Sequence, residues 1–393
     1  MEFDVEKTRK FAEEHQNDNV YDLLLHADKF PDVNIKAVVN QIKGRKITKS
    51  KIPAWHKNQC LIYPDKKALE QCSSEATAKF KASLVSGETM VDLTGGLGVD
   101  TAFLSEKFLK VHYVEPNKKL FETAAYNFNY LDLQHVKCYN LSAPDFLNQN
   151  QDNFDLIYLD PDRRPGKNNV KKIMLHDHQP DVITLKNKLL SRANTVMLKT
   201  SPMLDIQDMM ESLPETTAVH VIAAMNECKE LLVLLEKKPA GKKIIAVNID
   251  KNSNYKTFDA DLTSVKNKKV NFSLPLNYLF EPNAALLKAG LQDVYAEQKK
   301  IFKLHSNSQL YTSNNLFPGF FGRSFRIIKI LPFDRKQVSA TLKSNKANIT
   351  VRNFPVSVEE IRKKIKLKEG GEDYLFATTL NNGQKRLILC RKI

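Results

Sequence analysis

Cysteine is scarce in this chain and shows no pairing pattern. Five residues in 393 (Cys60, Cys72, Cys138, Cys228 and Cys390) make an odd number without Cys-x-x-Cys spacing. That leaves no basis for a disulfide framework or a clustered zinc site, and it points to a reducing cytosol. Long apolar runs are missing too, since none approaches the roughly 20 residues that a bilayer span needs. The opening stretch, Met1 to Gln16, mixes both charges and lacks the apolar segment of a secretory signal. Acid is the third shortage: 45 Asp and Glu stand against 60 Lys and Arg, a formal net charge of +15. The excess is local. Residues 326–393 hold 16 Lys/Arg and 6 Asp/Glu, and charge gathered at one end favours a polyanion surface over general solvation. What remains is ordinary for a globular protein, 42% hydrophobic and 27% charged. The length suits two or three domains.

Periodicity divides the chain. Residues 4–43 read as short helices interrupted at Pro31, with Leu23, Leu24, Leu25, Ile35, Val38, Val39 and Ile42 at helical spacing. Residues 43–51 read as a basic connector into Ile52-Pro53-Ala54-Trp55, and 67–85 as one helix ending before Gly87. From Thr89 onward strands and helices alternate: strand 89–93, helix 101–108, strand 111–114, helix 118–131, strand 154–159, helix 181–193, strand 195–198. Such alternation with apolar strands predicts a parallel sheet covered by helices. Strands 217–224 and 231–236 follow with a link too short for a parallel crossover, so they read as an antiparallel hairpin. Past Pro239 the pattern changes. A β run at 243–249 and a short helix at 283–290 precede strand-like runs at 324–330, 374–379 and 386–390 around one basic helix, 357–365. The expected fold class is α/β, a Rossmann-like sheet that is parallel with a final antiparallel hairpin, over residues 79–240. An N-terminal helical region covers 1–78, a β-rich segment and linker 241–324, and a basic α+β module 325–393.

The sharpest signal is Val91-Asp92-Leu93-Thr94-Gly95-Gly96-Leu97-Gly98-Val99-Asp100. A strand that feeds a glycine turn and then a helix lets the backbone approach a ligand. This is Gly-Gly-x-Gly after an acid, not the GxGxxG that cradles a pyrophosphate. Asp92 would repel a pyrophosphate but suits the cationic amino-acid end of S-adenosylmethionine, and the final hairpin also argues against a nicotinamide enzyme. Thr94, Gly95, Gly96, Gly98 and Asp100 complete the expected cofactor turn; its plain alternative is a structural turn. Glu115 ends the second strand, where a carboxylate can accept from both ribose hydroxyls. Tyr139, Asn140 and Ser142 follow the next strand, where an adenine would sit. The fourth strand delivers Asp160-Pro161-Asp162-Arg163-Arg164 to the carboxyl edge of the sheet. Asp160 can hold an amine or hydroxyl against a methyl donor, and Arg163 and Arg164 can grip a phosphate or carboxylate. Lys199 ends the fifth strand and is either catalytic or a partner of Asp160.

The order and wording of these segments resemble bacterial class I methyltransferases that end in a THUMP-like domain. The likeness spans nearly the whole chain. It includes Lys51-Ile52-Pro53-Ala54-Trp55, Leu69-Glu70-Gln71-Cys72-Ser73-Ser74-Glu75, the glycine turn and the Asp-Pro-Asp-Arg-Arg segment. The turn from Asn226 to Glu230, Phe280-Glu281-Pro282-Asn283-Ala284 and Phe321-Gly322-Arg323 extend it. The resemblance implies S-adenosyl-L-methionine as cofactor, a ferredoxin-like linker at about 280–324 and a THUMP-like module after it. True THUMP domains bind tRNA, so an RNA substrate (tRNA or rRNA) is the expected partner, with no membrane and no obligate protein partner. The expected contacts are Arg362, Lys363, Lys364, Lys366 and Lys368 on or after the last helix, with Lys385 and Arg386 on the neighbouring strand.

The acceptor atom is less sharply marked. Enzymes that methylate exocyclic amines carry Asp/Asn-Pro-Pro and an aromatic, where this chain has Asp162 and Arg163. Methylation at pyrimidine C5 needs a cysteine nucleophile near this strand, and the segment has none. A base nitrogen is preferred to a ribose 2′-hydroxyl, for which Asp160, Lys199 and Glu227 fall in a suggestive order. A non-catalytic RNA-binding protein that keeps the fold is the remaining reading. His176-Asp177-His178 lacks a third ligand and reads as a surface cluster, so no metal is expected. Trp55, the only tryptophan, reads as a core anchor.

Overall fold

The structure is a computed structural model that describes residues 4–163, 175–342 and 344–393, with the backbone alone at Arg163. The four segments read from the sequence fall into two compact units: Met1–Val219 with Glu230–Ala240, and His220–Lys229 with Gly241–Ile393.

The first unit begins with helices α1 (Val5–Glu14), α2 (Val20–Leu25), α3 (Ile35–Lys51) and α4 (Pro53–Lys57). Ala12, Leu23, Ile35, Val38, Val39 and Ile42 form the core shared by α1, α2 and α3. Asn34 caps α3 by accepting from the Ala37 N–H at 3.0 Å. The helix then runs through the stretch expected as a connector and stops only before Pro53, which disfavours helical backbone in the residue ahead of it. The helix expected over 67–85 is two, α5 (Lys66–Gln71) and α6 (Glu75–Ala82), because Ser74 caps α6 by accepting from the Thr77 N–H.

Seven strands follow: β1 (Thr89–Asp92), β2 (Lys110–Val114), β3 (Val136–Tyr139), β4 (Phe154–Leu159), β5 (Ala193–Thr200), β6 (Thr216–Ala224) and β7 (Glu227–Leu235). Their order is β6-β7-β5-β4-β1-β2-β3. The first five are parallel, and β7 runs antiparallel to β5 with Leu198 opposite Val233. In β4, Leu156, Ile157, Tyr158 and Leu159 are all buried, the continuous apolar run of a strand covered on both faces. Helices α7 (Val99–Ser105), α8 (Lys118–Tyr130), α9 (Ala143–Gln149), α10 (Val182–Arg192) and α11 (Ile206–Ser212) supply the crossovers.

The second unit contains the β6–β7 turn, where Met225 and Asn226 both have positive φ, 52° and 64°. Two consecutive left-handed residues make the tight connection of a two-residue hairpin. An antiparallel pair follows, β8 (Lys243–Ile249) and β9 (Tyr255–Asp261), then α12 (Leu262–Asn267). The remaining elements are β10 (Tyr278–Pro282), α13 (Ala284–Lys288), α14 (Gln292–Lys299), β11 (Phe302–Lys303), β12 (Tyr311–Ser313), β13 (Gly322–Leu331), α15 (Arg335–Thr341), β14 (Asn348–Arg352), α16 (Val358–Ile365), β15 (Asp373–Thr379) and β16 (Lys385–Lys392). These strands form a second sheet in the order β11-β12-β10-β13-β16-β15-β14. Alternation splits its apolar residues between two faces. Leu331, Leu375, Leu387 and Leu389 pack with Ile361 and Ile365 of α16, whereas Phe325, Phe376, Ile388 and Cys390 pack with Leu304 and Leu310. Among the described residues no helix is long and apolar enough to cross a membrane.

Candidate active site

The turn after β1 is shaped by what surrounds it. The Tyr113 ring lies so close that a Cβ on Gly95 would sit 2.1 Å from it, so only glycine fits. Gly96 and Gly98 take left-handed backbone, φ 54° and 81°, and Gly98 caps α7. Asp92 braces the turn from beneath. Its carboxylate accepts from the Thr94 N–H at 3.0 Å and from the Thr101 hydroxyl at 2.6 Å. Burial pushes its pKa up to about 7, against the pull of those two bonds. Each Asp92 oxygen thus holds one partner inside the turn, and the residue is 1% exposed. The Thr94 hydroxyl oxygen accepts from the Asp160 N–H at 2.6 Å and so ties the end of β1 to the end of β4.

The other side of the turn is open. A Cβ on Gly96 would meet nothing nearer than 3.8 Å, and the Gly96 N–H donates at 2.8 Å to Glu115, which also accepts from the Asn117 N–H at 2.7 Å. Burial raises the Glu115 pKa despite these bonds. Each carboxylate oxygen keeps a second lone pair, so two hydroxyls can still be accepted. An open glycine backbone beside a buried carboxylate fits the ribose and adjoining chain of S-adenosylmethionine.

The expected adenine contacts are mostly engaged elsewhere. Asn140 donates from Nδ2 to the Glu115 carbonyl at 2.8 Å and the Pro116 carbonyl at 3.1 Å, which leaves its Oδ1 available. Ser142 is a helix cap: its hydroxyl donates to Asp145 at 2.5 Å and accepts from the Asp145 N–H at 3.3 Å. Tyr139 stacks on His112 with centroids 5.5 Å apart.

On the acceptor side Lys199 donates to the Asp160 carboxylate. Burial opposes the charge of Lys199, but Asp160, Glu230 and Asp100 outweigh it and raise its pKa. Behind this pair lies a network that the sequence reading missed. Lys81 of α6 is fully buried, 3.0 Å from Asp100 and 2.9 Å from Glu230, and it also donates to the Ser73 hydroxyl at 2.8 Å. The Ser73 and Tyr158 hydroxyls each donate to Asp100 at 2.8 Å. Burial works against the Asp100 carboxylate, yet Lys81, Lys199 and these hydroxyls hold its pKa below the ordinary range. Asp100 is thus braced by Lys81, Ser73 and Tyr158.

Glu227, the acid suggested beside Lys199, is exposed and paired with Lys229 at 2.6 Å. Strand alternation explains the substitution. Residues 227 and 229 share one face of β7, and Glu230 on the other is the one turned into the first unit's core. Cys72 is also close enough to feel these charges, but burial pushes its thiol up to about 11 and it donates to the Leu69 carbonyl.

The Arg163 side chain and Arg164 lie outside the described residues. His176 faces Asp181 at 3.4 Å, while Asp177 and His178 are buried. Trp55, 2% exposed, is a core residue.

The expected RNA contacts gather around α16. Ser357 and Glu360 form a capping box at its start, and Ile361 and Ile365 anchor it on the sheet. Lys363, Lys364, Lys366, Lys368 and Lys385 are exposed. Lys364 sits 4.3 Å above the Phe333 ring, and half-buried Arg362 donates to the Ala347 carbonyl at 3.4 Å. Lys385 and Arg386 are consecutive on β16 and point to opposite faces, so the seven residues do not share one surface.

Residues 322–392 match the THUMP domain-like family, and residues 278–320 match a ferredoxin-like domain. A crystal structure of a candidate methyltransferase from Porphyromonas gingivalis W83 has a TM-score of 0.88 to this chain at 32% identity, covering 100% of both chains. Two Mycobacterium tuberculosis proteins, of strains CDC 1551 and H37Rv, are named as S-adenosylmethionine-dependent methyltransferases. Each is 22% identical over 306 residues, 77% of this chain and 80% of theirs.

Proposed function

Because the chain belongs to the S-adenosylmethionine-dependent methyltransferases that carry a ferredoxin-like and a THUMP-like domain, we propose that it methylates RNA, a tRNA or rRNA, at a base nitrogen. The observation that carries the reading is the Asp160–Lys199 pair at the carboxyl end of β4 and β5, hydrogen-bonded through Thr94 to the open glycine turn. The bound cofactor supplies an electrophilic methyl group on a sulfonium. Glu115 and the Gly96 side of the turn hold its ribose and the adjoining chain, and Asn140 offers Oδ1 to the adenine. Asp160 accepts a hydrogen bond from the acceptor N–H, orients the nitrogen lone pair and takes the proton that the methylated nitrogen releases. Lys199 keeps that carboxylate in place.

The raised pKa of Lys199 favours base nitrogen over ribose. A 2′-hydroxyl acceptor calls for a lysine that can take a proton, and an ammonium held charged by three carboxylates does not. The Cys72 thiol, pushed up to about 11, is a poor source of the thiolate that C5 chemistry needs. The exposed lysines of α16 supply the attraction for the RNA strand.

The test has two parts. Asp160→Asn should leave S-adenosylhomocysteine affinity within about twofold while methyl transfer to RNA falls by about 10²-fold or more. Mass spectrometry of nucleosides from a deletion strain should show one N-methylated base missing. A missing 2′-O-methyl nucleoside would overturn the acceptor, and an unchanged nucleoside profile would overturn RNA as substrate.

A further inference from the structure

A cavity of about 240 Å³ lies within the second unit, against α14 and β11, and none of its walls belongs to the methyl-transfer site. Its floor is built. Lys303, 4% exposed, donates to both Asp293 oxygens at 2.8 and 3.1 Å, and the Tyr311 hydroxyl donates to the same carboxylate at 2.5 Å. An ammonium carries three protons; Asp293 takes two, which leaves one for a ligand oxygen. The rim is chemically mixed. Lys269 and Lys300 bring exposed ammoniums, Glu297 an exposed carboxylate that accepts from the Lys269 N–H at 3.1 Å, Asn271 an exposed amide, and Phe302 a ring left 36% exposed.

Lys300 also holds left-handed backbone, φ 53°, at the C-cap of α14, a place where glycine is the usual residue. The chain keeps a lysine there at a conformational cost, and such strain gathers at functional sites. Ammoniums beside a solvent-facing ring and an amide are the parts that bind a single-stranded nucleotide: phosphate attraction, base stacking and an edge contact. The volume is below the roughly 300–1,000 Å³ of drug-sized ligand sites, so it suits one base.

We propose that this cavity takes one nucleotide of an RNA strand, with its phosphate on Lys269 and Lys300, its base on Phe302 and Asn271 at the base edge. The proposal rests on RNA as the substrate class and deepens it, because it assigns an RNA contact outside the THUMP-like module. The same chemistry would recognise a free nucleotide, and the experiment separates the two sources.

The full chain, its methyl-donor site filled with S-adenosylhomocysteine, is titrated with fluorescent pentauridylate by anisotropy and with uridine monophosphate by calorimetry. Phe302→Ala and Lys300→Gly should each weaken pentauridylate about tenfold. Both variants should leave S-adenosylhomocysteine affinity unchanged, and Lys300→Gly should melt no lower than the parent because glycine relieves the backbone. Equal pentauridylate affinity in the parent and both variants overturns the cavity assignment while RNA binding stands. Uridine monophosphate binding as tightly as pentauridylate assigns the cavity to a free nucleotide and overturns the RNA strand. Failure of the parent chain to hold either pentauridylate or total tRNA overturns both this proposal and RNA as substrate.

Discussion

The carboxyl end of the first sheet and the C-terminal helix carry charge in opposite ways. Around β4 and β5, Lys81, Asp100 and Glu230 are removed from water, Lys199 largely so, and they are matched to one another. On and after α16, Lys363, Lys364, Lys366 and Lys368 stand in solvent. Buried pairs repay their desolvation only when every partner is in place, so they fix geometry more than they add stability. Exposed lysines hardly affect folding, and what they contribute to binding is screened by salt. The first region should therefore respond to single substitutions and to pH, and the second to ionic strength.

Four measurements can break or sharpen that contrast. Lys81→Met leaves Asp100 and Glu230 buried without their cation and should cost about 3–5 kcal/mol in urea unfolding. Adding Asp100→Asn and Glu230→Gln to it should recover much of the loss; a single variant within about 1 kcal/mol of the parent would show the network to be dispensable.

Asp92 gives the next largest effect. Its folded pKa of about 7 lies above the ordinary 3.8, so the folded state keeps a proton that the unfolded chain releases first. Its contribution to stability is complete below about pH 4 and is lost as pH rises through 7, a change on the order of 2–4 kcal/mol. Asp92→Asn should gain that much on the parent between pH 4.5 and 7.5, and a constant difference between the two proteins would refute the burial argument.

Glu115→Ala should weaken S-adenosylhomocysteine by about 1.5–3 kcal/mol in calorimetry, and unchanged affinity would remove Glu115 from the ribose role. The smallest change in folding belongs to the other region. Lys363→Gln, Lys364→Gln and Lys366→Gln together should alter stability by less than about 0.5 kcal/mol. They should also flatten the salt dependence of RNA affinity by about 2 in log–log slope. An unaltered slope would mean that α16 makes no phosphate contact.

The parts of the fold that were legible are those where burial leaves a periodic mark. Phe154–Leu159 and Lys243–Ile249 have the bounds read from the sequence because their apolar runs are short and uninterrupted. The β6–β7 hairpin followed from a link too short for anything else. The buried ion network left no such mark. Lys81 sits in α6 like any surface lysine, and only the packing of α6 on α7 and β7 buries it. Glu230 was passed over for Glu227 because the strand's inner face depends on register, which a single acid does not reveal. Ser142 and Asp100 have ligand-like chemistry, and the sequence carries no sign that a helix end and Lys81 also use it. In the β-rich segment the bounds of β9 were hidden for another reason: Tyr255–Asp261 is mostly exposed and polar, so its sequence lacks a strand's apolar rhythm.

The position of β7 has a consequence for synthesis. In the first sheet β7 lies between β5 and β6, although it is the last of the three to leave the ribosome. Until Leu235 has been made, β5 has a bare edge, and Val196, Met197 and Leu198, fully buried in the finished protein, lie beside it. At about 5–20 residues per second, the stretch from Thr200 to Leu235 takes about 2–7 s to emerge. Through that interval the nascent chain offers an apolar edge strand to any neighbour able to pair with it, and a pause in translation within β6 would prolong the exposure.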